Sequence, residues 1–266
     1  MGRSRIAGPG RLAAITAGPP AATLLSRAAK ALMRSLLLVG LAALPARAGP
    51  LEDAGAAYQR GDYGTAARLY HALANQGDGF AQSRLGSMYL QGQGTKQDFG
   101  EALKWFRRAA ALGFAEAQYN LGNIYLRELG VGQDLLLAGR WYSRAAEQGH
   151  AQAQFTLAVL YMIGGGVKKN MTKAAYWFER AAAQGHPGAQ VELGRMYSGG
   201  RGVPRDPVTG YKWLTIARAS AQTASVRAKA TTSLNRVAAQ MTVVQVKEAQ
   251  RQAREWRPMP SKGIQP

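Results

Sequence analysis

Residues 115–150 read AEAQYNLGNIYLRELGVGQDLLLAGRWYSRAAEQGH, and residues 151–186 read AQAQFTLAVLYMIGGGVKKNMTKAAYWFERAAAQGH. The second stretch restates the first without insertion or deletion. A step of 36 residues carries Gln118 onto Gln154, reaches back to Gln82 and runs forward to Gln190. The same step links Leu85, Leu121, Leu157 and Leu193, then Tyr89, Tyr125, Tyr161 and Tyr197, then Trp105, Trp141, Trp177 and Trp213. A fixed period of this size marks stacked supersecondary units, none of which can bury its apolar face alone. The expected fold class is all-α: a solenoid of helix-turn-helix repeats, an architecture that works by presenting an extended contact surface.

Within residues 115–150 the hydrophobic period predicts two helices. Ala117, Leu121, Ile124 and Tyr125 share one face of the first, and Ala138, Trp141, Ala145 and Ala146 share one face of the second. Gly122 leaves room for a neighbouring helix to come close. Asp134 stands where an N-cap belongs, as do Asp98, Asn170 and Asp206 in the other copies. Glu101 is placed to complete a capping box with Asp98, and Pro207 to take the first helical position. Gly113, Gly149 and Gly185 close the second helices, with Ala221 departing from that pattern. The tryptophan and tyrosine ladders are expected to be core.

Outward from the repeats, residues 49–79 read as a shortened copy, with Tyr58, Ala66, Tyr70 and Ala74 on its skeleton. The four repeats occupy 80–220 (80–114, 115–150, 151–186 and 187–220). Residues 221–257 are expected to be two capping helices, the last opened by a Thr242/Gln245 box and striped with Val246, Ala249, Ala253 and Trp256. Residues 258–266 are expected to be a disordered tail.

Residues 33–48 have the layout of a secretory signal: Arg34, an apolar core from Leu36 to Leu44, Pro45, then Ala46-Arg47-Ala48. Cleavage is expected between Ala48 and Gly49, and the core is shorter than the roughly 20 apolar residues that cross a bilayer. Met33 reads as the true start, with residues 1–32 an over-extended reading frame. The alternatives are an Arg-rich transit peptide and an uncleaved membrane anchor. The expected location is periplasmic or secreted.

The chain of 266 residues contains no Cys, which excludes disulfides, thiolate metal sites and a Cys nucleophile. Its net charge is +19. Seven of the 34 basic residues precede Glu52, the first acid, so residues 49–266 hold 27 basic and 15 acidic residues, a net +12. The excess suits an anionic envelope surface or an acidic protein face. It is spread over helix surfaces, not gathered into a stripe, so nucleic acid is not an expected partner.

The pattern Ala-x-Ala-Gln-x-x-Leu-Gly-x-x-Tyr, a Gly-rich loop, Asp, then Ala-x-x-Trp-x-x-x-Ala-Ala-x-x-Gly resembles the Sel1-like repeat, a relative of the tetratricopeptide repeat. The closing Met-Thr-x-x-Gln…Ala-x-x-Trp-x-Pro stretch at 241–258 is similar to the ends of many bacterial exported members. The resemblance implies a right-handed α/α superhelix acting as an adaptor in envelope assembly, signalling or protein quality control. The chain departs from the pattern at Ala158, Gly210 and Glu128. One secreted subgroup binds or slowly hydrolyses β-lactams but carries paired cysteines in each repeat, which this chain lacks.

No constellation suggests catalysis, a cofactor or a metal. His150 and His186 occupy equivalent turns, about two helix spacings of 8–10 Å apart, which is too far to share an ion. The glycine clusters at 164–166 and 199–202 lack the strand and the Gly-Lys-Ser/Thr ending of a phosphate loop, so they read as turns. The expected function is that of a non-catalytic exported scaffold binding an envelope protein; the alternative is a cell-wall or β-lactam-active protein with weak hydrolase activity. In stacked hairpins the first helices line a concave wall. The wall positions that change chemistry between copies are Arg84 and Ser87, Asn120 and Asn123, Thr156 and Val159, Glu192 and Arg195. Amide and guanidinium groups there are suited to hold a peptide backbone or a carboxylate.

Overall fold

The computed structural model describes residues 49–259, in which 12 α-helices and no strands occur. The expected signal, Ala48 at its cleavage point and residues 260–266 lie outside the described residues. The helices are α1 (Pro50–Gln59), α2 (Tyr63–Asn75), α3 (Gly79–Gln91), α4 (Phe99–Ala111), α5 (Ala115–Arg127), α6 (Leu135–Glu147), α7 (Ala151–Ile163), α8 (Met171–Ala183), α9 (Pro187–Gly199), α10 (Pro207–Ser220), α11 (Ala224–Ala238) and α12 (Val243–Glu255). Each helix from α1 to α10 packs on its successor, while α12 returns to α10. This is an all-α repeat solenoid. None of the described helices is long and apolar enough to cross a membrane.

The local signals explain where each helix starts and stops. Asp98, Asp134, Asn170 and Asp206 cap α4, α6, α8 and α10, each accepting from a backbone N–H of the first turn. Glu101 does not complete a reciprocal box as expected. Its carboxylate turns outward to Lys104 at 2.9 Å, because an ion pair one turn along competes for the same oxygens. The Thr242/Gln245 box does form. The first helices end on a left-handed residue: Gly92, Gly164 and Gly200, with Glu128 at the equivalent place. Glu128, at φ 59°, is the one non-glycine residue with positive φ among those described.

Packing corrects the expected core in one respect. Of the ladder tryptophans, Trp105 and Trp213 are buried, but Trp141 and Trp177 are half-buried; of the four ladder tyrosines Tyr125 is buried, while Tyr89, Tyr161 and Tyr197 are half-buried. The fully enclosed ladder sits one residue after each tryptophan: Phe106, Tyr142, Phe178 and Leu214, all at 0% exposure. On a helix, adjacent residues point about 100° apart. The seam therefore takes the second position and leaves the indoles at its margin. Gly122 matters here, since a Cβ would come within 2.6 Å of the Tyr142 ring.

A second ladder is polar. Gln82, Gln118, Gln154 and Gln190 are buried. Each side-chain amide donates to a backbone carbonyl eight residues earlier, Ala74, Ala110, Ala146 and Ala182, so it ties a first helix to the end of the preceding second helix. In three copies the amide oxygen is also satisfied, by Gln148, Gln184 and Ser220.

At the C-terminal end, Trp256 of the α12 cap meets Trp213 edge-on at 5.8 Å. Pro258 and Met259, the first residues of the expected disordered tail, lie against the repeats, and the Met259 N–H donates to the Ala183 carbonyl at 2.8 Å.

Candidate functional site

The eight expected wall residues lie on α3, α5, α7 and α9, two to a helix, but they are not equally available. Arg84 is exposed, its guanidinium 5.0 Å from the centre of the Phe80 ring. Ser87, half-buried, donates to the Ser83 carbonyl. Asn120 is buried: its short amide stays beneath Glu116, donating to that carboxylate at 3.4 Å, where the longer Arg84 reaches solvent from the same register. Asn123 accepts from the Tyr142 hydroxyl at 2.9 Å, which satisfies a phenol that enters the core. Burial pushes that phenol well above its ordinary pKa. The two asparagines thus serve the seam and are not free contacts. Thr156 is half-buried and bonded to the Gln152 carbonyl. Val159 packs on the apolar seam. Glu192 and Arg195 pair at 3.1 Å, with Arg195 exposed.

Neighbouring first helices are joined along this wall by the histidines. His150 accepts the Ala153 N–H through Nδ1, stacks on Tyr119 at 4.8 Å, and places Nε2 at 2.9 Å from Glu116. His186 repeats the arrangement with Ala189, Phe155 at 4.4 Å and Gln152. Each imidazole is an N-cap, with its Nε2 reaching the preceding first helix. The hydrogen bond from His150 holds the Glu116 carboxyl below its usual range, with the charges of His150 and Arg84 adding to it against burial.

A second surface escaped sequence reasoning. Beside Trp213 and Trp256 lies a cavity of about 590 Å³ that Tyr176, Arg180, Lys212 and Met259 also line. Its cations sit over its rings: Arg180 over Tyr176 at 5.4 Å and Lys212 over Trp213 at 5.0 Å. The readable signal was an arginine three residues after a tryptophan in three copies: Arg108, Arg144 and Arg180. Each guanidinium lies within cation–π range of its indole.

Among the described residues no group of three or more His, Asp or Glu side chains is placed to hold a metal ion. The arrangement offers graded polar contacts and aromatic edges along a scaffold, the chemistry of recognition.

Comparison with known proteins agrees with that geometry. The Sel1 repeat model matches at 79–114, 115–150, 151–186 and 187–220, over half of the chain. A Sel1 repeat protein of Oxalobacter formigenes superposes with a TM-score of 0.66 at 26% identity, over 79% of this chain and 86% of that one. A protective antigen of uropathogenic Escherichia coli with an SLR fold is 25% identical over 76% of this chain and 59% of its own, with a TM-score of 0.39. An immunity protein of Pseudomonas aeruginosa is 17% identical over 78% and 85%, with a TM-score of 0.43. No curated protein matches. Sel1 repeats form scaffolds that mediate protein–protein interaction. On the register of its four repeats and on its fold, this chain belongs to the Sel1 repeat family.

Proposed function

We propose that the protein is an exported, non-catalytic scaffold that binds a protein of the cell envelope along the wall of first helices. One observation carries this reading: the enclosed ladders repeat from copy to copy, while the outward positions change from Arg84 to Thr156 to Glu192. A surface that varies over a constant frame is how a repeat protein writes specificity. Export rests on the layout of residues 33–48, and the +12 charge of residues 49–266 favours an acidic partner face or an anionic envelope surface.

The test is affinity capture from membrane extracts of the source cells, comparing the wild type with an Arg84→Ala/Thr156→Ala/Glu192→Ala variant. The bound partner should be lost while the melting temperature falls only slightly, since none of the three side chains is buried and surface substitutions shift stability by only about 0.5 kcal/mol each. Unchanged capture overturns the wall assignment. Loss on Tyr176→Ala instead would move the partner to the cavity beside Trp213. Alkaline phosphatase fused after residue 60 should be active in a bacterial host; an inactive fusion overturns export.

A further inference from the structure

We infer a binding site for a small polyanion, a molecule carrying two or more phosphoryl or carboxylate groups, in a cavity between the last repeat and the α11 cap. The cavity has a volume of about 370 Å³ and is lined by Arg195, Arg201, Arg205 and Arg236 together with Ser198 and Gln240. No carboxylate lines it. Glu192 pairs with one of the four, Arg195, at 3.1 Å, and Asp206 is occupied in capping α10 through the Val208 and Thr209 N–H groups.

Internal comparison shows that the repeat frame does not require these arginines. The positions of Arg195 and Arg201 hold Ser87, Asn123 and Val159, and Gln93, Leu129 and Gly165, in the other copies. Position 205 is more telling. Gln97 and Gln133 there use one N–H to close the loop, donating to Leu90 and Leu126 carbonyls seven residues earlier. Arg205 makes the same bond through Nε to Ser198 at 3.2 Å, and a second through Nη2 to Gln240 at 2.8 Å. A glutamine would do the structural work. The guanidinium adds a charge, further donors and a fixed orientation toward the cavity's other arginines. Arg236, from a helix outside the repeats, completes the group. Arg201 and Arg236 are exposed, and neither side chain donates to a described residue.

Clustered guanidiniums repel one another until an oxyanion sits between them, and their planar forks match phosphoryl and carboxylate oxygens. Arg201, Arg205 and Arg236 have no carboxylate partner among the described residues, and three such cations call for more than one negative charge. The volume is near the lower end of small-molecule pockets and exceeds what one tetrahedral anion fills. Val237 and Pro207 give a small apolar border for the part of the ligand that is not charged.

The experiment is calorimetric titration of the full chain with pyrophosphate and, separately, with citrate, at ionic strength held constant with sodium chloride. At least one should bind one-to-one. Arg201→Gln/Arg236→Gln should weaken that binding at least about 30-fold, as expected for losing two charge-assisted contacts. Arg60→Gln/Lys96→Gln, which removes the same charge from exposed remote positions, should leave it within about twofold. Binding of pyrophosphate alone identifies a phosphorylated ligand, and of citrate alone a polycarboxylate. Binding of neither, retention in the arginine pair variant, or equal loss in the remote variant overturns the site.

Discussion

Residues 79–114 and 151–186 are copies of one hairpin, yet they hold to their neighbours by different means. In the first, Gln82 donates to the Ala74 carbonyl, but its buried Oε1 finds no partner. In the third, Gln154 donates to Ala146 at 3.0 Å and accepts from Gln184 at 2.7 Å. The counterpart of Gln184 is Leu112, which projects into solvent at 58% exposure. The tryptophans reverse the balance. Trp105 is 2% exposed and sits edge-on to His71 at 5.8 Å, whereas Trp177 stays half-buried with Arg180 at 5.9 Å. One backbone thus accepts two settlements, apolar closure at the first junction and an amide ladder at the third. The repeat fixes geometry and lets each junction choose its chemistry.

Tryptophan truncation should divide the two copies most. Trp105→Ala should cost about 3–5 kcal/mol, as for a fully enclosed aromatic. Trp177→Ala should cost less, about 2–3 kcal/mol, because part of its surface stays exposed in the folded state. Urea unfolding followed by circular dichroism gives both values. Equal losses would break the contrast.

The same contrast marks what could be read in advance. The repeat period was legible because it recurs every 36 residues without a gap, and the four acidic or amide caps and the Thr242/Gln245 box because each is a short-range signal whose partner lies within one turn. The enclosed ladder was harder. Trp141 and Tyr142 both fit an apolar stripe, and only the approach of Gly122 on the facing helix selects the tyrosine. The glutamine ladder showed its period but not its purpose, since the groups that complete it lie 30 residues away at Gln148, Gln184 and Ser220. Asn120 read as a wall contact because its register is that of Arg84; its length, not its register, buries it. The arginines around the terminal cavity are dispersed along the chain, and Arg236 joins them only through the packing of α11.

The glutamine ladder is the second place to press. Gln154→Leu removes two hydrogen bonds and should cost about 1–2 kcal/mol; the loss is limited because the Ala146 carbonyl keeps its bond from Gly149 and Gln184 can turn to water. Gln82→Leu should cost less than about 1 kcal/mol, since it also removes an orphaned acceptor. Conversely, Leu112→Gln installs the missing donor and should stabilise by about 0.5–1 kcal/mol. If Leu112→Gln stabilises nothing while Gln154→Leu is costly, the first junction has a geometry that the ladder cannot enter, and the two copies differ in backbone and not only in side chains.

The smallest effect concerns the helix caps, aspartate at Asp78 in the first copy and histidine at His150 and His186 bounding the third. His186 accepts the Ala189 N–H through Nδ1 and faces the side-chain amide oxygen Oε1 of Gln152 through Nε2, so the neutral form protonated at Nε2 is the one that caps α9. A second proton would sit at Nδ1, against that N–H and at the positive end of the helix. Burial also lowers the His186 pKa below its ordinary value of 6.5. Below pH 6.5 the unfolded chain therefore binds more protons at this residue than the folded chain does. The stability that neutral His186 contributes is complete above that pH and declines as pH falls from 6.5 through the folded value. Wild type and His186→Asn carry the same carboxylates, so the difference between them isolates the histidine, because asparagine keeps a cap without a proton to gain. That difference should shift in favour of the variant between neutral pH and about pH 5. A flat difference would mean that the histidine cap where the third copy meets the fourth is as indifferent to acid as a simple amide.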